Sequence, residues 1–155
     1  MANTYTQINI HTVFAVRNRK ACIGTAWKEE LHKYISGILR NNTHKVLAIN
    51  TMPDHLHLLF GFRPNQSLSD LLQDIKGGSS QWINNRKLCP GQFRWQEGFG
   101  AFAVAVRDIH DTIHYIQQQE EHHKKVSFRK EYLSFLKEQE ILFDEKYIFS
   151  DLIDT

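Results

Sequence analysis

A chain of 155 residues with a formal net charge of +2 is sized for one domain, and on folding it can bury roughly two-thirds of the surface its unfolded form exposes. The charge balance demands no polyanionic partner, although a local basic face fits within a near-neutral total. No apolar run is long enough to span a bilayer and no signal pattern opens the chain. Cys22 and Cys89 match no zinc spacing, so free thiols and a cytoplasmic setting are expected.

Tyr5 to Val16 alternates, with Ile8, Ile10, Phe14 and Val16 on one face and Gln7, Asn9 and His11 on the other, which predicts a first strand. On that face His11 could lie near a site, but a polar surface role is expected for it. From about Thr25 the spacing turns helical, with Leu31, Ile35, Ile38 and Leu39 on one stripe and Asn41-Asn42 at its end. Val46 to Met52 predicts a second strand, and Pro53-Asp54 a tight turn into a third. Ser67 followed by Asp70 predicts a capped helix carrying Leu68, Leu71, Leu72, Ile75, Trp82 and Ile83. Gly77-Gly78 lies inside it, and two glycines cost about 1 kcal/mol each against alanine. Either the helix breaks there or something approaches its backbone closely.

Gly100 to Val106 predicts a fourth strand, with Phe102, Val104 and Val106 opposite three alanines. Asp108 is expected to cap a helix with the stripe Ile109, Ile113 and Ile116, running on to Lys125. A last helix starts near Ser127 with Phe128, Tyr132, Phe135 and Leu136. Repeats and linkers are absent, so residues 1–155 read as one domain. The order strand, helix, strand, strand, helix, strand, helix predicts an α+β, ferredoxin-like antiparallel sheet with an extra C-terminal helix.

The third strand carries the most informative residues. In Met52-Pro53-Asp54-His55-Leu56-His57-Leu58-Leu59-Phe60, the apolar Leu56, Leu58 and Phe60 face one way, and His55 and His57 the other. Two imidazoles backed by an apolar face can act as a two-pronged ligand for a divalent cation, or they can be ordinary histidines on a solvated face. On the helix after Asp108, Tyr115 and Gln119 are four apart and share a face, about 40° from each other. Together the set offers two imidazoles, an amide oxygen and a phenol.

With these pieces in order, the chain resembles the bacterial single-tyrosine transposases of the His-hydrophobic-His (HUH) nuclease superfamily, the small insertion-sequence and REP-associated type. The resemblance rests on the run from Met52 to Phe60, on Phe93-Arg94-Trp95-Gln96-Glu97-Gly98-Phe99-Gly100-Ala101-Phe102, and on Tyr115-Ile116-Gln117-Gln118-Gln119-Glu120-Glu121-His122-His123. It implies the HUH fold, His55, His57 and Gln119 as ligands of Mg²⁺ or Mn²⁺, and Tyr115 as the nucleophile. It also implies single-stranded DNA with hairpin ends as substrate, a 5′-phosphotyrosine intermediate with a free 3′-hydroxyl, and a homodimer that shares its active sites.

Rivals exist for several roles. Tyr5, Tyr34, Tyr132 and Tyr147 are other phenols, each better explained by packing or by its place near an end. Glu120 and Glu121 could replace Gln119, but Glu120 continues the isoleucine stripe and Glu121 lies on another face. His122-His123, beside Lys124 and Lys125, is expected to be a solvated, DNA-facing helix end rather than a second metal site. Lys76, Arg86, Lys87 and Arg94 flank Trp82, Phe93 and Trp95, a mixture that suits either single-stranded nucleic acid or a charged surface over core tryptophans. Two other classes compete: a non-covalent metal-dependent phosphodiesterase and a non-catalytic nucleic-acid-binding module. The first lacks its further histidines, since residue 59 is Leu and no His-x-Thr/Ser occurs.

Overall fold

The computed structural model describes residues 4–143, so Tyr147 and most of the tail after Leu142 lie outside the described residues. In chain order the elements are β1 (Asn9–Ala15), α1 (Lys28–Asn41), β2 (Lys45–Met52), β3 (His55–Gly61), α2 (Leu68–Asn85), β4 (Gly100–Ala103), α3 (Ile109–Gln117), α4 (Gln119–His123) and α5 (Phe128–Glu138). The sheet order is β2-β3-β1-β4 with every neighbouring pair antiparallel, which is the expected ferredoxin-like arrangement. The β2–β3 hairpin turns on Pro53-Asp54 and pairs Met52 with His55.

Strand alternation creates two unlike faces. On one, Ile10 and Phe14 of β1 and Leu56, Leu58 and Phe60 of β3 meet Leu31, Ile35 and Leu39 of α1 and Leu71, Leu72 and Ile75 of α2. Leu58 is fully buried there. Leu58→Ala should therefore cost about 2–5 kcal/mol, read as a lower denaturation midpoint at unchanged m.

On the other face, residues Asn9, His11, Val13 and Ala15 stand beside His55, His57 and Leu59. This face is not solvated. Ile116 of α3 packs on Ala48 and Leu59. Phe128 and Leu136 of α5 close over Val13, Ala15 and Phe102. Gly100 makes room for α5, since a Cβ there would lie 2.9 Å from the Tyr132 ring.

Several elements differ from their predicted bounds. β1 begins at Asn9, and Ile8 is 39% exposed. β4 ends at Ala103, and Val106 is exposed. The Ser67 cap forms as expected, with its Oγ accepting from the Asp70 amide at 3.0 Å. α2 runs unbroken through Gly77-Gly78. A Cβ on Gly78 would lie 3.2 Å from Ile38 Cδ1 and 3.5 Å from Tyr34 Oη, so the close approach is that of α1. Asp108 makes no side-chain cap; a 3-10 turn over Val106–Asp108 leads into α3 instead. The single long helix expected to Lys125 is broken at Gln118, which separates α3 from α4.

Candidate active site

His55 and His57 leave the same face of β3 and are covered by α3, α4 and α5, so that neither is more than 1% exposed. A buried imidazole must place both ring nitrogens. His55 Nδ1–H donates to Asp54 Oδ1 at 2.7 Å. Its Nε2 is buried and has no hydrogen-bond partner among the described residues. His57 has partners on both sides: Nδ1 lies 2.9 Å from His11 Nε2 and Nε2 lies 2.9 Å from Glu131 Oε1. Phe128 lies flat against the His55 ring, at 3.8 Å and 10°.

α3 and α4 deliver the other expected residues. Gln119 is fully buried. Its Nε2 donates to the Tyr115 carbonyl at 3.3 Å, which turns Oε1 inward to meet His123 Nε2 at 2.8 Å. Tyr115 is half-buried, with its ring 5.9 Å from that of His57. Its hydroxyl donates to Glu131 Oε2 and also lies 3.2 Å from His122 Nε2. His55, His57, Gln119 and Tyr115 thus converge in one place within one chain.

Three further groups join them. His11 is 4% exposed and so not a surface residue: its strand face is roofed by Phe135, whose ring meets that of His11 edge-on at 5.3 Å. The His122-His123 pair is not simply a solvated helix end either. His123 Nδ1–H donates to the Val126 carbonyl at 2.9 Å, which turns its Nε2 inward, 3.4 Å from Glu131 Oε2. His122 Nε2 lies 2.9 Å from the same carboxylate oxygen. Glu131, from α5, sits at the centre of all of this at 3% exposure. A signal for it was in the sequence: it occupies an i+3 position of the stripe Phe128, Tyr132, Phe135, where an acid is out of place unless it meets a partner.

Electrostatics follow from burial and from Glu131. Burial pushes His11 down to about 3, helped by His57. Burial likewise pushes His57 down to about 4, against the opposing pull of Glu131. Burial alone would raise the Glu131 carboxyl, but hydrogen bonds from His123 and His57 outweigh it and hold the group well below the usual carboxylate range. For His123, burial works downward, and Glu131 with the Val126 carbonyl lifts it above the ordinary value. Tyr115 is raised well above a free phenol, first by burial and then by the charge of Glu131.

The donor set fits a divalent cation. Donor atoms of His55, His57, His123 and Glu131 all lie within 4.8 Å of one another. The orphaned Nε2 of His55 and the inward Oε1 of Gln119 add to the case. Asp54 and Val126 fix the outer nitrogens of His55 and His123, as supporting groups do in metal sites.

Several of the rival residues lie apart from this cluster. Tyr5 is 88% exposed, and Tyr34 stacks on Trp82 at 5.5 Å. Glu120 and Glu121 are exposed and pair with Lys28 and Lys124. The basic residues scatter. Arg86 lies over Trp82 and pairs with Glu30 at 3.5 Å, while Lys87 is exposed at the end of α2. Lys124 is exposed, and Lys125 lines a cleft that reaches Tyr115. Lys76 donates to the carbonyls of Gln96 and Gly98 at 2.6 and 2.8 Å, and with Arg17 and Arg94 it lines a groove of about 690 Å³. Phe93 and Trp95 are buried in the core. Cys89 Sγ–H donates to the Cys22 carbonyl at 3.2 Å, and both thiols are free.

Comparison with known proteins points to one family. Residues 4–119 match the model of a family described as IS200-like transposase. Over 75 residues the chain is 28% identical to the ISDra2 transposase TnpA of Deinococcus radiodurans, a stretch covering 48% of this chain and 54% of that protein. The match therefore spans about half the length of that curated relative. A crystal structure from D. radiodurans described as a transposase superposes with a TM-score of 0.60 at 20% identity, covering 77% of this chain and 95% of that one. A REP-associated tyrosine transposase solved bound to a REP hairpin superposes with a TM-score of 0.61 at 17% identity, covering 100% and 93%. At such identities the two structures speak for the fold. His122, His123 and Glu131 lie beyond the matched residues.

Proposed function

The chain belongs to the IS200-like transposase family, and from that premise we propose that it cuts and rejoins single-stranded DNA at hairpin-bearing ends through a metal-assisted 5′-phosphotyrosine intermediate. The observation that carries the reading is the meeting of the Tyr115 hydroxyl with the buried imidazole, amide and carboxylate donors through Glu131. Mg²⁺ or Mn²⁺ would be held by His55, His57 and Gln119, with His123 and Glu131 as further donors, and would neutralise charge developing on the scissile phosphate. Mixed nitrogen and oxygen donors favour Mn²⁺ in affinity.

Tyr115 is a protonated phenol at rest, so its proton must leave during attack. Glu131 Oε2 is the acceptor within reach. Tyr115 Oη bonds to phosphorus, the bond from phosphorus to the 3′ oxygen breaks, and that oxygen takes a proton from water. The product stores the phosphodiester energy, so a 3′-hydroxyl can reverse the step without ATP. Backbone contacts to DNA are assigned to the groove of Lys76, Gly77, Arg17 and Arg94, which opens just past Ala15, the partner of His55. The place of action is the cytoplasm, and among the described residues no helix is long and apolar enough to cross a membrane. Labelled hairpin ends incubated with the protein and Mg²⁺ should yield a fragment with a free 3′-hydroxyl. Tight binding without cleavage would contradict the reading.

A homodimer with exchanged Tyr115 helices is part of the proposal, although within one chain Tyr115 already meets its own Glu131. Mixing His55→Gln with Tyr115→Phe chains should then restore measurable cleavage, because one site of each mixed dimer is intact. No rescue, with mixed dimers shown to be present, would place each site within a single chain.

A further inference from the structure

We propose that His11 is a positioning residue that lets His57 change tautomer, so that the same ring serves both the closed metal-free site and the metal-bound one. The inference rests on the metal reading above. His11 is not among the clustered donors, yet its ring stacks on that of His57 at 5.1 Å and 29°, with its Nε2 2.9 Å from His57 Nδ1. The β1–β3 register explains the contact: His57 is paired with Val13, two residues from His11 on the same face, a diagonal that long side chains can cross.

A nitrogen–nitrogen contact of that length holds one proton, and the two places it can sit have opposite consequences. If His11 Nε2–H donates to His57 Nδ1, the remaining His57 proton is on Nε2 and donates to Glu131 Oε1, as the 2.9 Å contact there requires. His57 then has no lone pair for a cation. If His57 Nδ1–H donates to His11 Nε2, the Nε2 lone pair of His57 faces His55, His123 and Glu131, and His11 carries its own proton on Nδ1. The pair holds two ring protons in both states: the proton leaving His57 Nε2 is balanced by the one gained at His11 Nδ1.

Only a residue that can both donate and accept permits the change. A lysine or arginine could only donate, and an apolar side chain would orphan His57 Nδ1 in a site where His57 is 0% exposed. Phe102, Tyr115 and Phe135 surround the His11 ring and hold it in place.

The test is Mn²⁺ binding to the full chain without DNA, read by the EPR signal of free Mn²⁺. His11→Phe fills the space beside Phe102 and Phe135 but cannot pair with His57, and should weaken binding by about 10–100-fold. His11→Gln offers both a donor and an acceptor and should bind nearly as the parent does, whatever the order of the metal-free melting temperatures. Equal affinity of parent and His11→Phe would overturn this inference alone. A parent that binds no Mn²⁺ would overturn the metal reading with it. ¹⁵N imidazole spectra of the unmodified protein give an answer independent of how the variants fold. On adding Zn²⁺, His57 and His11 should both become protonated on Nδ1, and a His11 that keeps its proton on Nε2 would contradict the proposal.

Discussion

Tyr115→Phe should abolish the covalent protein–DNA adduct completely while leaving hairpin DNA binding unchanged. The substitution removes a single oxygen from a half-buried ring whose packing against His11, His57 and Phe135 stays in place. It also removes one hydrogen bond to a carboxylate, which costs about 1.5–3 kcal/mol, while Glu131 keeps its contacts with His57, His122 and His123. The folded protein should therefore remain, and the missing adduct would report lost chemistry. A denaturing gel with end-labelled DNA checks the adduct, and a filter-binding curve at fixed salt checks the binding.

Substituting His55 or His57 should lower cleavage by at least about 100-fold. Alanine is a poor choice for proving it. Both rings are buried beneath α5, so truncation opens a cavity, and at position 57 it also strips Glu131 of a partner. His55→Gln and His57→Gln keep most of the volume and a polar end. Cleavage lost at a melting temperature near that of the parent would assign the loss to the metal site. Unchanged cleavage in both would remove these residues from the chemistry. Gln119→Ala should weaken metal affinity less than either, because an amide oxygen is a weaker donor than an imidazole.

Much of the fold was legible locally. The alternation in β1 and β3, the Pro53-Asp54 turn and the Ser67 cap each depend on neighbouring residues only, and each forms. Tyr115 and Gln119 were readable as one helical face for the same reason. The break at Gln118 does not undo this, since the Gln119 amide still reaches back to the Tyr115 carbonyl. Gly77-Gly78 was ambiguous because its resolution depends on Ile38 and Tyr34, which belong to another helix.

What escaped the sequence was the roof over the histidine face. A strand face bearing His11, His55 and His57 reads as solvated until a helix is known to cover it, and that helix is 74 residues away in the contact between His57 and Glu131. The apolar stripe of α5 was visible, but nothing local says which sheet face it seeks. Once Phe128 and Leu136 settle on Val13 and Ala15, Glu131 is carried among the imidazoles, and His11 and His123 become interior residues.

The central claim is that Tyr115 is the group that attacks DNA. The most direct measurement traps the reaction of the unmodified protein with a hairpin-ended single strand in Mg²⁺ or Mn²⁺, digests protein and DNA, and maps the modified peptide by mass spectrometry. The account predicts a nucleotide joined through its 5′ phosphate to the peptide containing Tyr115, and to no other. A nucleotide on Tyr5, Tyr34, Tyr132 or Tyr147, or cleaved DNA with no protein adduct at all, would contradict it.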